Sequence, residues 1–109
     1  MGKLIYGASV REIEVDDRTL AHVKVAIITK LRRSESFALS FEHGLEQGSG
    51  RTTLWIHESI PLQFVFNTAR RPDLNRAWIE ALMLSANTVG GLQMLPEPEE
   101  TGGAEDDEA

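Results

Sequence analysis

Short stretches in which apolar and polar residues alternate are separated by two longer segments with helical spacing. Lys3 to Tyr6 predicts a short strand, and Arg11-Glu12-Ile13-Glu14-Val15 alternates as a half-buried strand does. Gly7-Ala8-Ser9 supplies the turn of this N-terminal hairpin. Asp16-Asp17 then read as a helix cap. Leu20, Val23, Ile27 and Leu31 recur at helical spacing, and Lys30, Arg32 and Arg33 close the segment where cations suit the helix dipole. The β-branched Val25, Ile27, Ile28 and Thr29 leave a strand as the competing reading, but length, cap and cationic end favour helix. On that wheel Lys24 falls inside the apolar stripe and has to snorkel, while His22 lies opposite the stripe and is expected in solvent.

Further along, Phe37, Leu39 and Phe41 alternate with Ala38, Ser40 and Glu42. A glycine-rich loop from Gly44 to Gly50 leads to a strand over Arg51–His57. A tight turn at Ser59-Ile60-Pro61 precedes Leu62, Phe64 and Phe66, again at period two. These three strands read as a meander, with Leu54 and Ile56 joining the Phe/Leu face. Pro72-Asp73 opens a second helix that ends at Gly90-Gly91, with Leu74, Ala77, Trp78, Ala81 and Leu82 on one face. Leu92 and Met94 fit a last short strand. The pattern predicts an α+β fold: a mostly antiparallel sheet in the order β-β-α-β-β-β-α, with two helices packed on one face.

Composition refines the picture. The chain has 109 residues and no cysteine, which removes thiol chemistry, disulfides and Cys-based zinc sites together. Its formal charge of -6 is unevenly spread, because seven acids and no base follow Pro96. The remainder is nearly balanced, with ten acids against eleven bases. We therefore expect one domain over residues 1–95 and a disordered acidic tail over 96–109. No stretch reaches the ~18 apolar residues of a membrane span, and the N-terminus lacks the apolar core of a secretory signal. A cytoplasmic protein is the expectation.

Candidate chemistry is sparse. Gly2 and Gly7 are spaced like the glycines of a phosphate loop, but Ala8 stands where the lysine belongs. Gly48-Ser49-Gly50 is followed by Thr53 and a strand, not by a third glycine and a helix. His22, His43 and His57 form no i, i+4 pair and have no cysteine beside them, so no metal site is predicted. No nucleophile elbow surrounds Ser34, Ser36 or Ser59. Neither a cofactor nor a catalytic residue is expected.

Two features stand above this background. Lys30, Arg32, Arg33, Arg70 and Arg71 hold five of the eleven bases in two short stretches, and they form a phosphate-contacting patch if the two stretches face the same way. Trp55 and His57 would share the sheet face opposite the core with polar residues, as a stacking platform or a partner contact. On the second helix, Ile79 and Met83 fall outside the main apolar face and suggest a second partner contact.

The stretches MGKLIYG, VDDRTLAHV, KLRRSESF, GRTTLWIHESIPLQFVF, NRAWIEALMLSAN and GLQMLPEP resemble a family of small actinobacterial proteins. The resemblance runs from Met1 to Pro98. Members of that family frequently carry the name "ATP-dependent DNA ligase", which implies a link to DNA ligation. None of Lys3, Lys24 and Lys30 is followed by x-Asp-Gly, so the nucleotidylation motif of such ligases has no counterpart here. The sequence thus predicts a non-enzymatic interaction domain, self-associating or protein-binding. The alternative is a nucleic-acid-binding accessory domain.

Overall fold

The computed structural model describes residues 1–8, 11–43 and 50–99. Ser9 and Val10, the glycine-rich loop as far as Ser49, the His43 side chain and all residues from Glu100 onward lie outside the described residues. Eight elements follow in order: β1 (Gly2–Tyr6), β2 (Arg11–Val15), α1 (Asp17–Arg32), β3 (Phe37–His43), β4 (Gly50–Ile56), β5 (Leu62–Val65), α2 (Arg76–Ala86) and β6 (Leu92–Gln93). The α+β class and the element order agree with the sequence pattern.

The strands form two three-stranded sheets, ordered β2-β1-β5 and β4-β3-β6. In the first, β1 pairs antiparallel with β2, from Gly2 opposite Val15 to Tyr6 opposite Arg11. On its other side β1 pairs with β5, from Lys3 opposite Val65 to Tyr6 opposite Leu62. In the second, β3 and β4 pair antiparallel from Phe37–Ile56 to His43–Gly50, and β6 joins β3 in parallel at Leu39–Leu92. The predicted β3–β4–β5 meander is therefore corrected. After the turn at Ser59 the chain crosses to the other sheet, and β5 pairs with β1. The Tyr6 hydroxyl ties the sheets together by donating to the Trp55 carbonyl at 2.7 Å.

Both sheets turn their apolar faces to one core. Leu4, Ile13 and Val15 from the first sheet, and Phe37, Leu39 and Ile56 from the second, pack with Leu20, Val23 and Ile27 of α1 and Trp78 and Leu82 of α2. Phe41, Leu54, Leu62, Phe64 and Phe66 pack against its margin. Lys24 snorkels as anticipated, with its ammonium 5.6 Å from the centre of the Phe66 ring.

Local signals explain the helix ends. The Asp16 carboxylate accepts from the Thr19 amide at 3.1 Å and the Thr19 hydroxyl at 2.7 Å. Burial pushes its pKa up, but these hydrogen bonds outweigh it and leave the pKa below the ordinary value. At the other end Ser34 takes the left-handed conformation, at φ 59. There the Glu35 amide bonds back to the Lys30 carbonyl and the Ser34 amide to that of Leu31. The second helix is shorter than predicted at both ends. Asn75 is its N-cap, accepting from the Ala77 amide, and Asn87 its C-cap; Leu74 lies outside it and is exposed. Among the described residues no helix is long and apolar enough to cross a membrane.

Candidate functional site

The seam between the helices buries polar residues that the apolar pattern alone places in solvent. Besides its Leu/Val/Ile stripe, α1 buries a second stripe at i, i+4 and i+8, made of His22, Ala26 and Lys30. His22, expected in solvent, is fully buried. Its ring stacks on Trp78 with centroids 4.4 Å apart. Its Nε2 accepts from the Asn75 backbone N–H at 2.8 Å, which leaves the ring proton on Nδ1 to donate to the Arg18 carbonyl at 2.8 Å. Nε2 thus ties α1 to the residue that caps α2, while the Nδ1 bond stays within α1 and fixes the ring's orientation.

Lys30 does the same at the far end. Only 5% exposed, it donates to Asn87 Oδ1 at 2.7 Å and pairs with Glu35 at 2.9 Å. The hydrogen bond from Lys30 holds the Glu35 carboxyl below its ordinary pKa. A cation at this point also faces the carbonyl ends of both helices. Its ammonium is engaged inside the molecule and is not presented to an outside phosphate.

The residues after β6 form a strap across this seam. Trp78 Nε1 donates to the Leu95 carbonyl at 3.0 Å. Arg18 grips Glu97 with two hydrogen bonds, at 2.8 and 2.7 Å, and also donates to the Asp73 carbonyl. The buried Asn75 amide donates to Glu97 Oε2 and to the Pro98 carbonyl. The Arg18 hydrogen bond, followed by that of Asn75, lowers the Glu97 pKa to about 2. The expected acidic tail therefore begins with residues held against the body, and Glu97 is a structural anchor.

The five clustered bases do not form one patch. Arg32 and Arg33 are exposed at the C-terminal end of α1. Arg70 and Arg71 are exposed in the loop after β5. That loop is held at the N-terminal end of α1, where the Asn67 and Thr68 amides donate to the Asp17 carboxylate at 3.0–3.1 Å. Sixteen helical residues separate the two pairs, a span of about 24 Å. Arg70 lines a small cleft together with Arg18, Asp17 and Asp73, so the charge there is mixed.

The outer face of the second sheet is different. Trp55 is 57% exposed and stands directly opposite Ala38 on β3. The Val89–Gly91 turn approaches Ala38 from the other side: a Cβ on Gly91 would lie 2.6 Å from the Ala38 carbonyl oxygen. Next to it a cleft of about 640 Å³ is floored by Ser40 and Thr53 and flanked by Glu42, Arg51, Val89 and Leu95. His57 lies past the end of β4, half-buried in the following turn. Its Nδ1 accepts from the Ser59 amide at 3.0 Å and lies 2.8 Å from the Ser59 hydroxyl. Ile79 and Met83 are half-buried, with Met83 packed on the core. The exposed apolar residue of α2 is Leu84, at 70%. Among the described residues no group of three or more His, Cys, Asp or Glu is placed to hold a metal ion.

Fold and surface thus define a small α+β domain with two short sheets, a satisfied polar seam and one aromatic sheet face open to solvent. The chain belongs to DUF7882, a family described as a domain of unknown function, whose model matches residues 1–97. That match includes the strap as far as Glu97. No curated protein and no solved structure matches the chain.

Proposed function

We propose that this is a protein-interaction domain, acting by binding and not by catalysis, whose contact surface is the Trp55 face of the β4-β3-β6 sheet. The observation that carries this reading is Trp55 itself: a large aromatic left 57% exposed on a regular strand, beside a cleft with polar groups in its floor. Tryptophan is enriched at interface positions that dominate binding energy, especially where polar groups around it fix orientation. Arg51 and Glu42, paired across β3 and β4, give the rim both signs of charge. A cytoplasmic setting belongs to the same proposal.

The test is selection of binding peptides from a random library, followed by titration against the whole chain and Trp55→Ser. Trp55 projects into solvent, so the substitution is expected to leave the melting temperature nearly unchanged. Binding should weaken by about thirtyfold, the loss of a hot-spot aromatic. Peptides that bind both proteins equally would refute the Trp55 face. Anisotropy of a nicked DNA duplex, at low and physiological salt, tests the nucleic-acid reading that accompanies the ligase name. Salt-sensitive binding abolished by reversing Arg32 and Arg33, or Arg70 and Arg71, would replace our proposal with that one.

A further inference from the structure

The two sheets end in four edges, and three of them are guarded. β2 carries Arg11, Glu12 and Glu14, charges that discourage pairing with another chain. On β4 the Trp55 carbonyl is taken by the Tyr6 hydroxyl. β6 is only two residues long. β5 has no such protection, since no charged residue occurs from Ser59 to Thr68.

The register fixes which backbone groups of β5 are open. The Gly7 N–H donates to the Pro61 carbonyl at 2.9 Å, so Gly7 and Pro61 are a hydrogen-bonded pair continuing the β1–β5 ladder. Alternation then turns the backbone of Gln63 and Val65 toward β1, and that of Leu62, Phe64 and Phe66 away from it. The Val65 carbonyl confirms the phase, because a Cβ on Gly2 would meet its oxygen at 2.6 Å. Among the described residues no group bonds the outward N–H and C=O groups of Leu62, Phe64 and Phe66.

We infer that this edge pairs with β5 of a second copy of the chain, antiparallel, about a two-fold axis at Phe64. The segment is self-complementary in that arrangement. Phe64 meets Phe64 of the second copy, and Leu62 meets Phe66, all through outward backbone groups. Three such pairs supply about six backbone hydrogen bonds and join two three-stranded sheets into one of six. On the solvent side Gln63 falls opposite Val65 of the second copy, so no like charges meet. Antiparallel pairing on an open edge is a general mode of association, and this one is independent of the Trp55 face.

The test uses the full chain. Sedimentation from about 1 µM to 1 mM, a range covering weak association, should show the mass rising from 12.1 kDa toward twice that value. Over the same range exchange of the Leu62 and Phe64 amides should slow by about tenfold. The double variant Gln63→Glu with Val65→Glu sets carboxylates opposite each other in the dimer, at positions exposed in one copy. It should remain monomeric with an unchanged circular-dichroism spectrum. A strict monomer at 1 mM overturns the inference, as does concentration-independent amide exchange or a dimer that survives the double variant. Loss of the dimer in Trp55→Ser alone would assign self-association to the Trp55 face. Peptide binding retained by the double variant would leave that face standing whatever β5 does.

Discussion

Asn75 joins α1, α2 and the strap at one residue. Its Oδ1 caps α2, its amide nitrogen bonds both Glu97 and the Pro98 carbonyl, and its backbone N–H is taken by His22. Asn75→Asp separates these roles. The cap acceptor survives, but two donated hydrogen bonds are lost and a carboxylate is set against Glu97. We expect about 2 kcal/mol of destabilisation with the helical signal at 222 nm retained, measured by urea unfolding; no change would mean that the strap adds nothing to stability. None of this was legible in the sequence. A helical wheel places His22 opposite the Leu/Val/Ile stripe, but it cannot show that a second helix covers that side. Trp78, 56 residues away in the chain, is what turns a nominally solvent-facing histidine into a buried one. Lys30 misleads for the same reason, since its partner Asn87 belongs to the other helix.

At the scale of elements, local signals were reliable where the backbone satisfied itself and unreliable where a tertiary partner took over. The Asp16 cap, the helical spacing and the cationic end specify α1 closely. Asp73 looks like a cap in the sequence, but the cap of α2 is Asn75, two residues later. In the fold the Asp73 carbonyl is held by Arg18 and the Asn75 amide by His22, which keeps residues 73–75 out of the helix. The meander failed for a related reason: a turn signal states that the chain reverses, not which strand it then pairs with. Two connections carry testable backbone strain of opposite sign. Ser34 occupies the left-handed region at the end of α1, where a side chain costs energy that glycine avoids. Ser34→Gly is expected to stabilise by about 0.5–1 kcal/mol. Gly91, at φ 81 and pressed on Ala38, is the converse, and Gly91→Ala should cost more than about 1 kcal/mol. Thermal unfolding of the two variants should move in opposite directions. A stabilised Gly91→Ala would contradict the close packing of the turn on β3.

For the whole molecule, the strap after β6 makes stability depend on pH through one carboxylate. Glu97 is held at about 2 against an ordinary 4.5, so the folded state binds its proton less readily than the unfolded chain does. Its contribution is complete above pH 4.5 and is lost as the pH falls toward 2. Protonation removes the ion pair with Arg18 and weakens the bond from Asn75 to Glu97, leaving Trp78–Leu95 and Asn75–Pro98 as the polar ties at this end. Emission from Trp78, read in a Trp55→Phe background, should therefore report strap release in that acid window. Arg18→Ala removes the larger cause of the shift, so the midpoint should move up toward 4.5 while the neutral-pH fold persists. A midpoint indifferent to Arg18 would mean that the acid transition belongs to other groups, with Asp16, also lowered, the first to examine. The consequence reaches the candidate interface, because Leu95 flanks the cleft beside the Trp55 face. Release of the strap alters one wall of that cleft, so peptide binding at the Trp55 face should weaken over the same acid range in which Trp78 emission changes. Binding that held constant through the window would place the contact wholly on β3 and β4.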